Sequence, residues 1–207
     1  MIPRLYAIVD AGLLAARGIS VTEFASELVE AGVQLLQYRD KTAAPQQILY
    51  AASALRDVIS GTSCRLILND RPDLAVLANA DGVHVGQTDL SPQDTRTVLG
   101  PGRILGLSTH NREQLQAADE SPVDYIAIGP VFATGTKLNP DPVVGLEGVR
   151  LARQLTRKPL VAIGGITREN ARSVLDAGAD SCAIISVLLS PRESGLNIAR
   201  DFLDILR

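Results

Sequence analysis

Short runs of aliphatic and β-branched residues recur along this chain, nearly every one followed by a helical segment, and this alternation restricts the fold more than any other feature. The runs are LYAIVD (5–10), VQLLQYRD (33–40), RLILND (65–70), DGVHVG (81–86), RILGLSTH (103–110), VDYIAIGP (123–130), PLVAIGGI (159–166) and SCAIISVL (181–188). Most are apolar throughout rather than alternating, the pattern of strands buried on both faces. Between them apolar residues fall at helical spacing, as in Phe24, Leu28 and Val29, and again in Ile48, Ala51, Ala52 and Leu55. A further helix, in VGLEGVRLARQL, begins beyond Pro142. Eight strands with intervening helices in 207 residues predict an α/β fold: a single (β/α)8 TIM barrel spanning 1–207 as one catalytic domain. A doubly wound open sheet is the competing arrangement. It would normally have fewer strands, and a dinucleotide-binding version needs a GxGxxG motif that does not follow LYAIVD. No linker, sequence repeat or low-complexity tract interrupts the pattern.

Helix punctuation agrees with this division. Ser20 with Glu23, and Ser190 with Glu193, have capping-box spacing, while Pro92 and Pro191 each follow a capping Ser. Gly32, Gly100 and Gly178 are expected near helix C-terminal ends.

Composition narrows the function classes. With 20 Lys+Arg against 23 Asp+Glu and a net charge of −3, a basic stripe for nucleic acid is not expected. No signal peptide is expected from the first residues, whose apolar runs are short, and no apolar stretch is long enough for a membrane span. Cys64 and Cys182 lie far apart in a chain with a full core, so they read as reduced thiols of a cytoplasmic protein. Small phosphorylated molecules are the expected partners.

In such a barrel, chemistry belongs at the C-terminal ends of the strands. Strand two ends in Gln37, Arg39 and Lys41, which alternate onto one side, and two cations with an amide suit a diphosphate. A salt-bridged strand end is the structural alternative. Asn69-Asp70 closes strand three and Asp89 follows strand four. Hard oxygen ligands from neighbouring strand ends are what Mg²⁺ takes, although Asp70 could instead cap a helix before Arg71-Pro72. His84, between Val83 and Val85, points inward as either a core or a functional residue, and His110 follows Ser108-Thr109 as a general base or a loop residue. After strand six, Thr134, Gly135, Thr136 and Lys137 offer hydroxyls, a charge and close backbone approach, unless they form only a polar loop. Gly164-Gly165 on strand seven and Ile185-Ser186 on strand eight stand where barrels commonly build a phosphate site, with close backbone packing as the alternative. Two anion sites imply two phosphorylated substrates.

Together the ordered motifs QYRDK, LILND, DGVHVGQTDL, GLSTHN, GPVFATGTK, VAIGGIT and GADSCAIIS resemble the thiamine phosphate synthase family. The resemblance runs from strand two to strand eight. It implies condensation of a pyrimidine diphosphate with a thiazole phosphate, with pyrophosphate released, and Mg²⁺ as cofactor. Residue by residue, it implies a pyrimidine diphosphate site of Gln37, Tyr38, Arg39, Asp40, Lys41, Asn69, His84, Ser108 and Lys137, among which Arg39, Lys41, Ser108 and Lys137 are the catalytic set. It implies Asp70 and Asp89 as metal ligands, and a thiazole phosphate site of Thr134, Gly135, Thr136, Gly165, Ile185 and Ser186. The implied mechanism is dissociative: a pyrimidine carbocation forms and the thiazole nitrogen captures it. The related thiazole tautomerase branch places a catalytic His near His110, but it handles no diphosphate and has no use for the Asn69-Asp70, Asp89 and 134–137 set. A non-catalytic phosphate-binding barrel is the reading from another class. The polar loop at 133–143 is expected to close over the diphosphate.

Overall fold

The computed structural model describes residues 2–135 and 141–207. Eight parallel strands, β1 (Leu5–Asp10), β2 (Leu35–Arg39), β3 (Arg65–Asn69), β4 (Gly82–Val85), β5 (Ile104–Thr109), β6 (Tyr125–Ile128), β7 (Leu160–Ile163) and β8 (Ser181–Ile184), pair in chain order and close when β8 meets β1. Helices α1 (Ala11–Ala15) and α2 (Val21–Ala31) follow β1, and α3 (Pro45–Ile59), α4 (Pro72–Leu77), α5 (Pro92–Leu99), α6 (Arg112–Asp119), α7 (Gly145–Leu155), α8 (Ala171–Asp176) and α9 (Gly195–Ile205) complete the outer ring. The barrel predicted from the alternation is the fold observed.

Strand side chains alternate, so each strand divides its residues between two cores. Leu36, Tyr38, Leu66, Leu68, Val83, Val85, Leu105 and Ile126 face outward and pack under the helices. Tyr6, Ile8, Leu35, Ile67, Tyr125, Ala127, Val161 and Ala183 fill the barrel itself. Buried on both faces, such strands have no polar side to reveal their period, which is why they read as unbroken apolar runs.

The N-terminal face carries a device used three times. Asp81, Asp124 and Asp180, each just before an even-numbered strand, accept the backbone N–H of Leu66, Leu105 and Leu160 at 2.8, 2.7 and 2.8 Å. The same carboxylates pair with Arg56 of α3, Arg96 of α5 and Arg153 of α7. Each pair therefore ties a helix to the start of two strands, the kind of role expected of the stability face. Arg96 also donates to the carbonyls of Gly100, Arg103 and Pro122, and Lys158 to that of Ala118, so these cations serve the backbone. Asp81→Ala leaves the N–H of fully buried Leu66 without its acceptor. We expect a loss of about 1–3 kcal/mol, read as a lower Tm in calorimetry, with turnover unchanged. An unaltered Tm would count against the device.

Two local expectations are corrected. The eighth strand ends at Ile184, and Ser186–Leu188 form a 3-10 turn instead of continuing it. Ser190-Pro191 does not start the last helix: Ser190 Oγ accepts from Arg192 N, while Ser194 caps α9 through Asn197 N. Docking decides this start. Gly195 lies so close to Phe24 that a Cβ there would come within 2.6 Å of the ring, and Leu196 N donates to Glu27 on α2. The other caps match, with Ser20 accepting from Glu23 N, Ser91 from Asp94 N, and Gly32 left-handed after α2.

Candidate active site

The inward register brings the predicted residues of strands two to five to one end of the barrel. Gln37 and Arg39 of β2, Asn69 of β3 and His84 of β4 share the inward parity of Leu35, Ile67 and Gly82, and Asn69 stands beside His84 in the ladder. Above them lie two ion pairs. Arg39 pairs with Asp10 at the end of β1, and Lys41 pairs with Asp70. Asp10 also caps α1 through Leu13 N, so Arg39 is held from a neighbouring strand end. Asp70 is not a helix cap; that position belongs to Arg71. Its φ of 63° turns the chain sharply after β3, while its carboxylate meets Lys41.

Asp89 completes this rim. It accepts the N–H of Gly86 at 2.7 Å and lies against Asp70. Burial raises its carboxyl above the usual range, and the adjacent Asp70 charge raises it further. A cation between the two carboxylates would relieve that repulsion. Among the described residues no cluster of three or more His, Cys, Asp or Glu could hold a metal. A pair of carboxylates nonetheless fits Mg²⁺, which is usually held by one or two protein carboxylates with water and substrate phosphate completing its shell. The Nδ2 atom of Asn69 is buried without a hydrogen-bond partner, the condition of a donor placed for a ligand acceptor.

Below the rim runs a continuous chain of polar side chains. Gln37 Nε2 donates to Tyr6 OH at 2.8 Å, Tyr6 OH meets Tyr125 OH at 3.0 Å, Tyr125 OH meets His84 Nδ1 at 2.8 Å, and His84 Nε2 meets Ser108 Oγ at 2.8 Å. The tyrosines sit edge to face at 6.0 Å, and Tyr125 stacks on His84 at 5.4 Å. Gly106 makes room: a Cβ there would lie 2.0 Å from the Tyr125 ring. Tyr6, Tyr125 and Asp10 are absent from the sequence-derived site. An aromatic residue inside an apolar run reads as core, and only inward parity shared with Asp10 and Gly129 would have marked them.

Burial pushes the His84 imidazole down to about 4, so it stays neutral across the physiological range. In the unfolded chain it takes up its proton near pH 6.5, whereas the folded protein resists until about pH 4. His84 thus contributes stability that is complete above pH 6.5 and lost as the pH falls towards 4, in all about 3 kcal/mol. Denaturant melts should show His84→Gln losing less stability than the parent between neutral and acid pH. Equal losses would contradict this.

Other predicted residues go elsewhere. Tyr38 faces the helices, its hydroxyl meeting Asp40, and Asp40 accepts the N–H groups of Thr42 and Ala43 at 2.9 Å to shape the turn after β2. The structure does not bring these two into the group formed by Gln37, Asn69, His84 and Ser108. His110 turns to the loop after β6: Nδ1 is 2.6 Å from the Gly129 carbonyl and Nε2 is 3.4 Å from Asp141. Thr134 and Gly135 lie on that loop, whereas Thr136 and Lys137, with the middle of the expected 133–143 closing segment, fall outside the described residues.

The loop packs directly onto the end of β7. Phe132 N donates to Gly164 O at 3.0 Å, and Cβ atoms at Gly164 and Gly165 would lie 2.6 Å from Pro130 and 2.5 Å from the Ala133 carbonyl. Both glycines also have positive φ, 102° and 63°, so close packing and chain reversal each require them. Ile185 and the exposed Ser186 follow β8 next to them, leaving backbone and hydroxyl groups at the usual phosphate position of the fold.

Comparison with known proteins identifies the family. A family model described as thiamine monophosphate synthase matches residues 5–188. The chain is 56% identical over 208 residues to a thiamine-phosphate synthase of Koribacter versatilis, covering 99% of this chain and 96% of that protein. It is 46% identical over 182 residues to the thiamine-phosphate synthase of Xanthobacter autotrophicus, covering 88% and 85%. A solved thiamine phosphate pyrophosphorylase from Pyrococcus furiosus superposes with a TM-score of 0.87 at 30% identity, over 98% of this chain and 95% of that one. With the family model, the near full-length relatives and the barrel in agreement, the chain belongs to the thiamine monophosphate synthase family and is a transferase.

Proposed function

We propose that the enzyme condenses 4-amino-2-methyl-5-pyrimidinylmethyl diphosphate with a thiazole phosphate, carboxylated or not, giving thiamine phosphate and pyrophosphate by a dissociative route. The observation that carries this reading is the rim formed by Arg39, Lys41, Asp70 and Asp89 directly above the neutral polar groups Gln37, Asn69, His84 and Ser108. Arg39 and Lys41, with Lys137 from the loop, stabilise negative charge as the diphosphate departs. Asp70 and Asp89 would hold Mg²⁺, which when bound supplies Lewis-acid stabilisation of that same charge. Gln37, Asn69 and Ser108 orient the pyrimidine while its methylene becomes cationic. No strong base is required, which suits a neutral His84. Thr134, Gly135, Thr136, Gly165, Ile185 and Ser186 bind the thiazole phosphate so that its ring nitrogen faces that carbon.

The tautomerase reading would leave the cation and carboxylate rim idle, and both ring nitrogens of His110 already face protein groups. One catalytic domain over 1–207 and a cytoplasmic setting belong to the same proposal. Among the described residues no helix is long and apolar enough to cross a membrane. Cys64 and Cys182 are free, buried thiols raised to about 12 by desolvation. The test is mass-spectrometric detection of thiamine phosphate from the two substrates, with Mg²⁺ and with chelator. Metal-dependent product is expected. Product undiminished by chelator contradicts the metal role, and no product from folded protein contradicts the reaction.

A further inference from the structure

The chain from Gln37 to Ser108 is more than a set of contacts, because of how protons must be distributed along it. A tyrosine hydroxyl donates one hydrogen bond, and a neutral imidazole has one N–H. If Gln37 Nε2 donates to Tyr6, then Tyr6 donates to Tyr125, Tyr125 to His84 Nδ1, and His84 Nε2–H to Ser108, whose own proton is left to point outward. If the carboxamide is turned round so that its oxygen faces Tyr6, every bond reverses and Ser108 becomes an acceptor towards the cavity. Any mixed pattern leaves a buried hydroxyl proton without an acceptor, or sets two donors or two acceptors face to face, and each is costly. Ionisation does not break the scheme: burial raises both hydroxyls and lowers the imidazole, so all three stay neutral.

We propose that Tyr6 and Tyr125 are positioning residues that couple the orientation of the Gln37 carboxamide to the hydrogen-bonding polarity of Ser108, so that the two ends present complementary faces to a ligand. With Nε2 donating to Tyr6, Gln37 offers its carbonyl oxygen and Ser108 offers its proton. With the chain reversed, Gln37 offers N–H and Ser108 an oxygen. The pocket therefore selects a heteroaromatic edge that carries a donor at one end and an acceptor at the other, as an amine beside a ring nitrogen does. It disfavours edges with two donors or two acceptors. The choice of aminopyrimidine rests on the proposed function, but the coupling itself is a property of the ligand-free protein.

The test is ¹⁵N NMR of the His84 ring in ligand-free protein, comparing the parent with Tyr6→Phe. Tyr6 is two hydrogen bonds removed from His84, and Phe keeps its ring. The parent should show one neutral tautomer, and Tyr6→Phe should show a mixture, because Tyr125 is then free to donate or accept. A tautomer population unchanged between the parent and folded Tyr6→Phe overturns the coupling. Gln37→Leu, which removes the far end of the chain and leaves the bond between Tyr125 and His84 in place, serves if Tyr6→Phe does not fold and is read in the same way. In turnover, Tyr6→Phe should raise KM for the pyrimidine substrate about tenfold and leave KM for the thiazole phosphate unchanged. Equal changes in both overturn the specificity role. Absence of product from the parent would contradict the proposed reaction while leaving the NMR result to decide the coupling.

Discussion

Asp70→Asn lowers kcat/KM for the pyrimidine diphosphate by about a hundredfold or more, while Tm stays near that of the parent. Asn is the informative replacement because residue 70 has a φ of 63°, a conformation Asn tolerates far better than Ala. The substitution keeps the turn after β3 and removes only the charge. Lys41 then loses its partner, and Asp89 loses one cause of its raised pKa. Mg²⁺ titration followed by steady-state rate should show a weaker apparent metal affinity. Parent-like activity with parent-like metal dependence would remove Asp70 from the proposed mechanism.

Gly106→Ala should damage the barrel and the site together. A Cβ at 106 would lie 2.0 Å from Cζ of Tyr125 and 2.4 Å from its hydroxyl oxygen. The ring cannot retreat, since it is stacked on His84, set edge to face with Tyr6 and fully buried. Overpacking of this kind costs about 1–3 kcal/mol and more where nothing yields, so we expect Tm to fall by about 5–10 °C. Turnover should fall with it, because displacing Tyr125 breaks the bonds that hold His84 and Ser108. Calorimetry together with rate measurement checks both. An undisturbed Tm would mean that the Tyr125 ring has room that the packing denies it.

Much of the barrel was legible because a strand buried on both faces has to be apolar at nearly every position. A polar group in such a strand stands out: Gln37 and Asn69 could be picked from strand ends and His84 from its place between two valines, whereas Ser108 entered only through the family resemblance; all four lie on the inward face. What depends on pairing across strands was not legible. Nothing near Arg39 in sequence announces Asp10, 29 residues away, and nothing in LYAIVD or VDYIAIGP says that their tyrosines share a hydrogen bond. The Arg–Asp device at the N-terminal face left only a faint trace, an Asp before strands four, six and eight. The end of β8 and the start of α9 were misplaced because local signals at Ser190-Pro191 were outweighed by Gly195 docking on Phe24.

Diphosphate is expected to bind at the C-terminal rim, between the cations of β2 and the carboxylates after β3 and β4. A crystal structure with Mg²⁺ and pyrophosphate tests it most directly. Pyrophosphate is expected against Arg39 and Lys41, with the metal held by Asp70 and Asp89. Pyrophosphate bound instead among Arg96, Arg103 and Lys158 at the opposite face, with the rim empty, would contradict it.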